Sequence, residues 1–99
     1  MRVVFTPRAE RQLDEIYAFI ADRAGEATAD RFVGRIVALC QGLSTFPLRG
    51  TPRDDIVPGL RTTGFRRRVL IAFMVTEREI VIEGVFYGGW DFVSALRGR

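Results

Sequence analysis

The feature that most constrains this chain is a single change in its hydrophobic period. Over residues 7–45 apolar side chains recur every three or four positions, and over residues 59–87 they alternate or run together. A period near ~3.6 belongs to helices and a period of about two to strands. Two helices therefore precede a set of strands, which is the order of an α+β fold rather than of repeated parallel βαβ units.

The details fill in that order. Residues 2–6 read as a short strand, β-branched and aromatic at its centre. Thr6 offers a hydroxyl as helix N-cap, and Pro7 suits the first helical position because the N–H it lacks would go unpaired there. Ala9, Leu13, Ile16, Tyr17, Ile20 and Ala24 follow, filling an arc of roughly 100°. Gly25 is expected to end this helix as a left-handed C-cap and to act as the hinge of a helical hairpin. The second helix is expected over residues 26–45, stopped by Phe46 and Pro47. Its apolar residues Ala29, Phe32, Val33, Ile36, Val37, Leu39, Cys40 and Leu43 cover roughly 160°, wider than one core contact requires. Either this helix is wedged between the sheet and the first helix, or part of its arc serves a partner.

Residues 47–58 are rich in Pro, Gly, Arg and Asp and read as loop. Strands are expected at residues 59–63, 65–75 and 79–87, the last two turned at residues 76–78 into antiparallel neighbours. Alternation puts Ile80, Ile82, Gly84 and Phe86 on one face of the last strand and Val81, Glu83, Val85 and Tyr87 on the other. Both faces of the sheet come out apolar, which calls for a second covering surface, ligand or protein. Residues 90–96 are either a final short helix or an irregular tail. The expected architecture is β-α-α-β-β-β, a helical hairpin packed on a small, mostly antiparallel sheet, forming one domain over residues 1–99.

Charge is distributed unevenly. All fifteen basic residues are arginine, and the chain has neither lysine nor histidine. Residues 1–30 hold four Arg and six acids, a net of −2, whereas residues 31–99 hold eleven Arg and six acids, a net of +5. This asymmetry suits a basic surface for nucleic acid or an acidic protein segment, or else a solvated face of an arginine-rich chain.

The same composition removes much chemistry. Without histidine there is no Ser–His or Cys–His nucleophile, and the commonest zinc ligand is missing. Cys40, the single cysteine, lies on the apolar arc of the second helix, reads as a buried structural thiol, and fits a reducing cytosol. Asp14 and Glu15 point ~100° apart on a helix, and Asp54 with Asp55 reads as a solvated turn. Gly59 and Gly64 have the spacing of a phosphate loop, but Phe65 stands where its lysine must be. No apolar run approaches the ~18 residues of a membrane span, and residues 1–5 lead straight into a structured pattern, so neither span nor leader is expected. No metal or cofactor is expected either.

Short motifs then add up in order. Phe46 and Pro47 close the second helix; Gly50, Thr51, Pro52 and Arg53 form a loop; Pro58, Gly59, Leu60 and Arg61 open a strand; Arg68 precedes an apolar strand. Together with the helical hairpin this resembles ParE-type toxins of the RelE/ParE superfamily over nearly the whole chain. The resemblance implies the toxin of a bacterial type II toxin–antitoxin pair, of plasmid-stabilisation type. Such a toxin inhibits DNA gyrase in the cytoplasm and is neutralised by a ParD-like ribbon-helix-helix antitoxin. Operator DNA would be reached only through that antitoxin. The alternatives are a RelE-like ribosome-dependent mRNA interferase, or a degenerate toxin acting only as antitoxin-binding module or co-repressor.

Departures from the superfamily pattern weigh against the interferase. RNA-cleaving relatives carry basic residues in the penultimate strand and after the last strand, and a tyrosine near the C-terminus; the corresponding positions here hold Leu70, Trp90 and Leu96. The exit from the last strand reads Tyr87, Gly88, Gly89, Trp90 and Asp91, without the histidine and arginine many relatives have there. No catalytic residue is therefore expected, and action by binding is. The expected antitoxin contacts are Leu13, Tyr17, Phe19 and Ile20, with Phe19 roughly 60° outside its helix's apolar stripe. Arg61, Arg66 and Arg68 are expected to pair with antitoxin acids, strand alternation sending Arg66 and Arg68 to one face and Arg67 to the other. Arg67, Tyr87, Trp90 and Arg97 are the expected target contacts.

Overall fold

The computed structural model describes residues 1–98. Its elements are β1 (Arg2–Phe5), α1 (Pro7–Ala24), α2 (Glu26–Gly42), β2 (Thr51–Pro52), β3 (Leu60–Phe65), β4 (Val69–Val75), β5 (Glu79–Tyr87) and α3 (Phe92–Arg97). Thr6 turns strand into helix as its chemistry suggests, its hydroxyl accepting the Ala9 N–H at 3.1 Å with Pro7 next in line. Gly25 serves as cap to both helices at φ 92°, ψ 160°. That is an extended backbone region open essentially to glycine alone, rather than the helical left-handed cap expected.

The five strands lie in the order β1-β5-β4-β3-β2, with β1 parallel to β5 and the other pairs antiparallel. Helix α1 lies on β5 and α2 packs along α1, and α2 itself reaches the sheet where Phe32 meets Phe65 and Tyr87, so α2 is not wedged between the sheet and α1. Ile16, Ile20, Ile36, Cys40 and Leu43 meet Val69, Ile71, Phe73, Ile80, Ile82 and Val85 in the main core. Each fully buried large aliphatic contributes about 1.5–3 kcal/mol relative to exposure, so this layer holds the hairpin on the sheet.

Residues 47–58, expected as loop throughout, contain the two-residue strand β2, whose Thr51 and Pro52 pair with Thr62 and Arg61. Proline is tolerated there because β2 is the edge of the sheet. Gly50, just before it, is at φ +83°, and a Cβ at that position would stand 2.3 Å from the Thr62 carbonyl oxygen. Only glycine fits this approach.

Two expectations about the strands fail. Residues 65–75 are not one strand, because the chain reverses at residues 66–68 and β3 pairs back on β4. The turn is closed by the Arg68 N–H on the Phe65 carbonyl at 3.1 Å, with Arg66 and Arg67 at φ 52° and 59°. Positive φ at both central residues defines a turn that favours Asn and Gly, and each arginine there costs about 1–2 kcal/mol. The second failure concerns alternation along β5. Ala72 faces Gly84 but Phe73 faces Ile82, leaving Glu83 as the extra residue of a bulge. The bulge reverses the side-chain pattern. Ile80, Ile82, Val85 and Tyr87 share the helical face, while Phe86 turns away to join Ile56, Leu60, Ala72 and Leu96.

The bulge is fastened by the helix lying on it. Thr6 donates its N–H to the Ile82 carbonyl at 3.1 Å and its hydroxyl to the Glu83 carbonyl at 3.3 Å. Gln12 Oε1 accepts the Val85 N–H at 2.7 Å, pairing a donor on the bulged segment. A Cβ on Gly84 would come within 2.5 Å of the Phe86 ring.

The outer face of the sheet has its own cover. Residues 92–97 form a helix, capped by Asp91 through the Ser94 N–H at 3.1 Å, and its Leu96 is buried there with Ile56 of the preceding loop. The second covering surface that the apolar strands demanded is thus supplied in large part by the chain itself.

Candidate partner-binding site

The bulge decides what stands at the far end of the hairpin, because reversing the alternation brings Tyr87 to the helical face. There Phe19, Ile20, Arg23 and Ala24 of α1, Thr28 and Phe32 of α2, Arg68 and Tyr87 line a cavity of about 250 Å³. Positions 19, 20, 23 and 24 are three and four apart, so one face of the last turns of α1 forms one wall. The rings pack edge to face or tilted. Centroids lie 5.3 Å apart for Phe19 and Tyr87, 6.1 Å for Phe32 and Tyr87, 5.6 Å for Phe32 and Phe65, and 6.4 Å for Tyr87 and Trp90. The Arg23 guanidinium sits 3.7 Å over the Phe19 ring. An exposed cation–π contact of this kind is worth about 0.5–1 kcal/mol, and Arg23 is held further by donating to the Phe19 carbonyl at 3.3 Å and by the Asp22 carboxylate at 3.9 Å.

Larger recesses exist, about 750 Å³ beside Thr76, Glu77, Arg78, Glu79 and Arg2, and about 370 Å³ beside Phe46, Pro47 and Leu48. The first is lined only by one turn and Arg2, the second only by consecutive loop residues. Neither joins several elements around aromatic rings and cations as the smaller cavity does.

Of the residues expected to bind partners, the structure brings Phe19, Ile20, Arg68 and Tyr87 to this one cavity, with Trp90 adjoining through Tyr87. Phe19 is 39% exposed and Trp90 38%, whereas Ile20, at 8%, is core that contributes only a wall. Leu13 and Tyr17 are half-buried against the core further down α1. Desolvation, and after it the Asp30 and Glu26 carboxylates, push the Tyr17 hydroxyl above its ordinary pKa, making it still harder to ionise. Sequence reasoning missed Arg23, Thr28 and Phe32. Arg23 follows Phe19 by one helical turn, a spacing that could have flagged it, but Phe32 looks like any core residue of α2.

The arginines divide. Arg66 and Arg67 sit on the β3–β4 tip, so the expected strand partition, Arg66 with Arg68 against Arg67, does not hold. Arg61 is occupied by its own chain, donating to the Arg49 carbonyl at 3.2 Å and to the Leu48 carbonyl, and reaching within 3.5 Å of that of Gly50. Arg97 donates to the Asp55 carbonyl at 3.3 Å. Arg53 forks onto both Asp55 oxygens at 2.9 Å and lies 5.5 Å over Phe92. That pairing lowers the Asp55 pKa and raises that of Arg53. Asp54 accepts the Gly59 N–H at 2.8 Å. The two adjacent carboxylates are turn fasteners rather than an acid–base pair.

Chemically, the cavity offers rings and guanidinium groups, which bind, and lacks a nucleophile held beside a base. Cys40 lies elsewhere, fully buried, its thiol pushed up to about 12 by desolvation. No helix among the described residues is long and apolar enough to cross a membrane.

Residues 3–91 match the family described as ParE toxin of type II toxin-antitoxin system, parDE. The chain is 34% identical over 95 residues to Toxin ParE3 of Caulobacter vibrioides, spanning 96% of this chain and 94% of that protein. It is also similar to a chain in the structure of the chromosomal ParDE TA system from P. aeruginosa, with a TM-score of 0.77 and 29% identity, covering 89% of this chain and 96% of that one. The order of elements, the motifs that shape the edge loop and these matches agree: the chain belongs to the ParE toxin family of parDE toxin–antitoxin systems.

Proposed function

We propose that this toxin stops growth by binding DNA gyrase in the cytoplasm, and that a ParD-like antitoxin neutralises it by covering the cavity at the hairpin end. The observation that carries the proposal is the cavity's content: Phe19, Phe32 and Tyr87 beside Arg23 and Arg68. An amphipathic segment with an apolar anchor and nearby carboxylates suits that combination. The antitoxin footprint centres on Phe19, with Leu13, Tyr17 and Ile20 along α1 and Arg68 at the rim. Trp90 and the β3–β4 tip serve the target. Operator DNA is reached through the antitoxin, and residues 1–99 act as one domain.

Cleavage of mRNA has weaker support. Arginine stabilises phosphate charge but is a poor base, and the tyrosine nearest the arginine tip, Tyr87, is hemmed in by Phe19, Phe32 and Trp90. The test incubates antitoxin-free protein with gyrase and relaxed plasmid, and separately with translating ribosomes. Loss of supercoiling with intact mRNA is expected. Codon-dependent cuts abolished by Tyr87→Phe would reverse the assignment.

A further inference from the structure

The tip between β3 and β4 is built against local preference. Its two central positions require positive φ, where Asn and Gly are favoured, yet they carry Arg66 and Arg67 at 52° and 59°. Strain of this kind persists where the surrounding structure enforces it, and it concentrates at functional surfaces. The fold returns little to these two side chains, one ring contact by Arg66. Arg66, Arg67 and Arg68 are all exposed. Among the described residues none of the three joins an ion pair; the Arg66 guanidinium lies 5.5 Å from the Phe65 ring, and Arg68 lines the neighbouring cavity.

We propose that this tip binds the phosphate backbone of duplex DNA directly, with Arg66 and Arg67 as the contacting residues and Arg68 behind them. Guanidinium matches phosphate oxygens two at a time, and a two-stranded ribbon is narrow enough to approach the groove. Single-stranded RNA fits less well. It is bound by stacking bases on open ring faces, whereas Phe32, Phe65 and Tyr87 meet one another edge on. An acidic peptide suits the cavity, where apolar walls adjoin Arg68; the tip offers charge alone. Phosphate contact carries no sequence information, so this differs from operator recognition through an antitoxin. It also stands apart from the gyrase proposal, because its probe is DNA without the enzyme.

The test uses the full chain, free of antitoxin, and a fluorescent duplex of about 20 base pairs, with anisotropy read between ~50 and ~200 mM salt. The double variant Arg66→Asn, Arg67→Gly is expected to bind at least ~10-fold more weakly, with the log–log salt slope reduced by about two. Its Tm is expected to rise by roughly 5 °C or more as the turn strain is released. The Arg66→Lys, Arg67→Lys variant keeps the charge and is expected to stay within ~3-fold of the parent. Unchanged affinity and slope in the Asn–Gly variant would overturn the proposal, and so would a fall in Tm. A single-stranded RNA of equal length that binds as tightly and loses as much would overturn the assignment to duplex DNA. Poly-glutamate losing more affinity than DNA would overturn it in favour of an acidic protein.

Discussion

Two sets of arginines share this small protein and differ in what their guanidinium groups touch. Arg53, Arg61 and Arg97 are bound by the chain itself, through the Asp55 carboxylate and the backbone carbonyls of Leu48, Arg49 and Asp55. Arg66 and Arg67 stand on an exposed tip and Arg68 lines the cavity, while Arg23 lies between the two sets, over the Phe19 ring and donating to the Phe19 carbonyl at 3.3 Å. The first set includes two of the arginines through which the sequence resembles its family. Those motif residues build the edge of the sheet: Gly50 allows close approach to β3, the Arg53 N–H donates to the Leu60 carbonyl at 2.7 Å, and the Arg61 side chain ties down the carbonyls that the irregular loop leaves over. Family motifs here report mainly on the fold. The surface proposed to meet partners is assembled from residues the motifs largely skip, Arg68 excepted.

That contrast can be broken most sharply at Gly50. Gly50→Ala adds a Cβ against the Thr62 carbonyl at a left-handed φ, and it should cost about 3 kcal/mol or more in urea or thermal unfolding. Arg61→Ala comes next, at about 2 kcal/mol, because charge-assisted bonds to loop carbonyls are lost; Arg68→Ala should stay within about 0.5 kcal/mol. Equal losses in the two variants would erase the distinction between the sets. Phe19→Ala is expected to leave stability nearly unchanged and to weaken antitoxin binding by about 1 kcal/mol, measured by calorimetry against the co-expressed partner. Intact affinity would move the antitoxin footprint away from the hairpin end.

The smallest effect is on pH dependence. Arg53 holds the Asp55 carboxyl below its ordinary value of 3.8. A depressed folded pKa gives stability that is present above the unfolded value and lost as pH falls through the folded one. Asp55→Asn should therefore flatten the acid limb of the stability curve below about pH 4 and leave its slope at neutral pH unaltered. An unaltered acid limb would show that the Arg53 pair carries no weight in solution.

Local signals were the legible ones. Thr6, Pro7 and Gly25 bracket the helices, and the helical period places Ile16, Ile20, Ile36 and Cys40 in the core. The bulge at Glu83 was not legible, because what fixes it is distant in sequence: Thr6 and Gln12 bind backbone groups of residues 82, 83 and 85. Missing it put Tyr87 on the wrong face and hid the cavity. The arginine turn was hidden for the opposite reason, since no Asn or Gly marks it and the apolar run beyond reads as a continuation of β3. Phe19 stood out by its angle on the helix, but Phe32 did not, because a ring facing another element looks the same as a core ring until that element is placed.

The proposed division gives the toxin's work to the exposed arginine tip and the aromatic cavity, and its shape to Arg53 and Arg61, with Arg68 the one motif arginine on the partner side. It is tested most directly by gyrase supercoiling assays on a variant carrying Arg66→Gln, Arg67→Gln and Arg68→Gln, alongside the parent at matched folded concentration. Loss of inhibition by at least ~10-fold with an unlowered Tm is the predicted result, as removal of unpaired surface charge weakens binding without unfolding the chain. Full inhibitory potency in that variant would contradict the account.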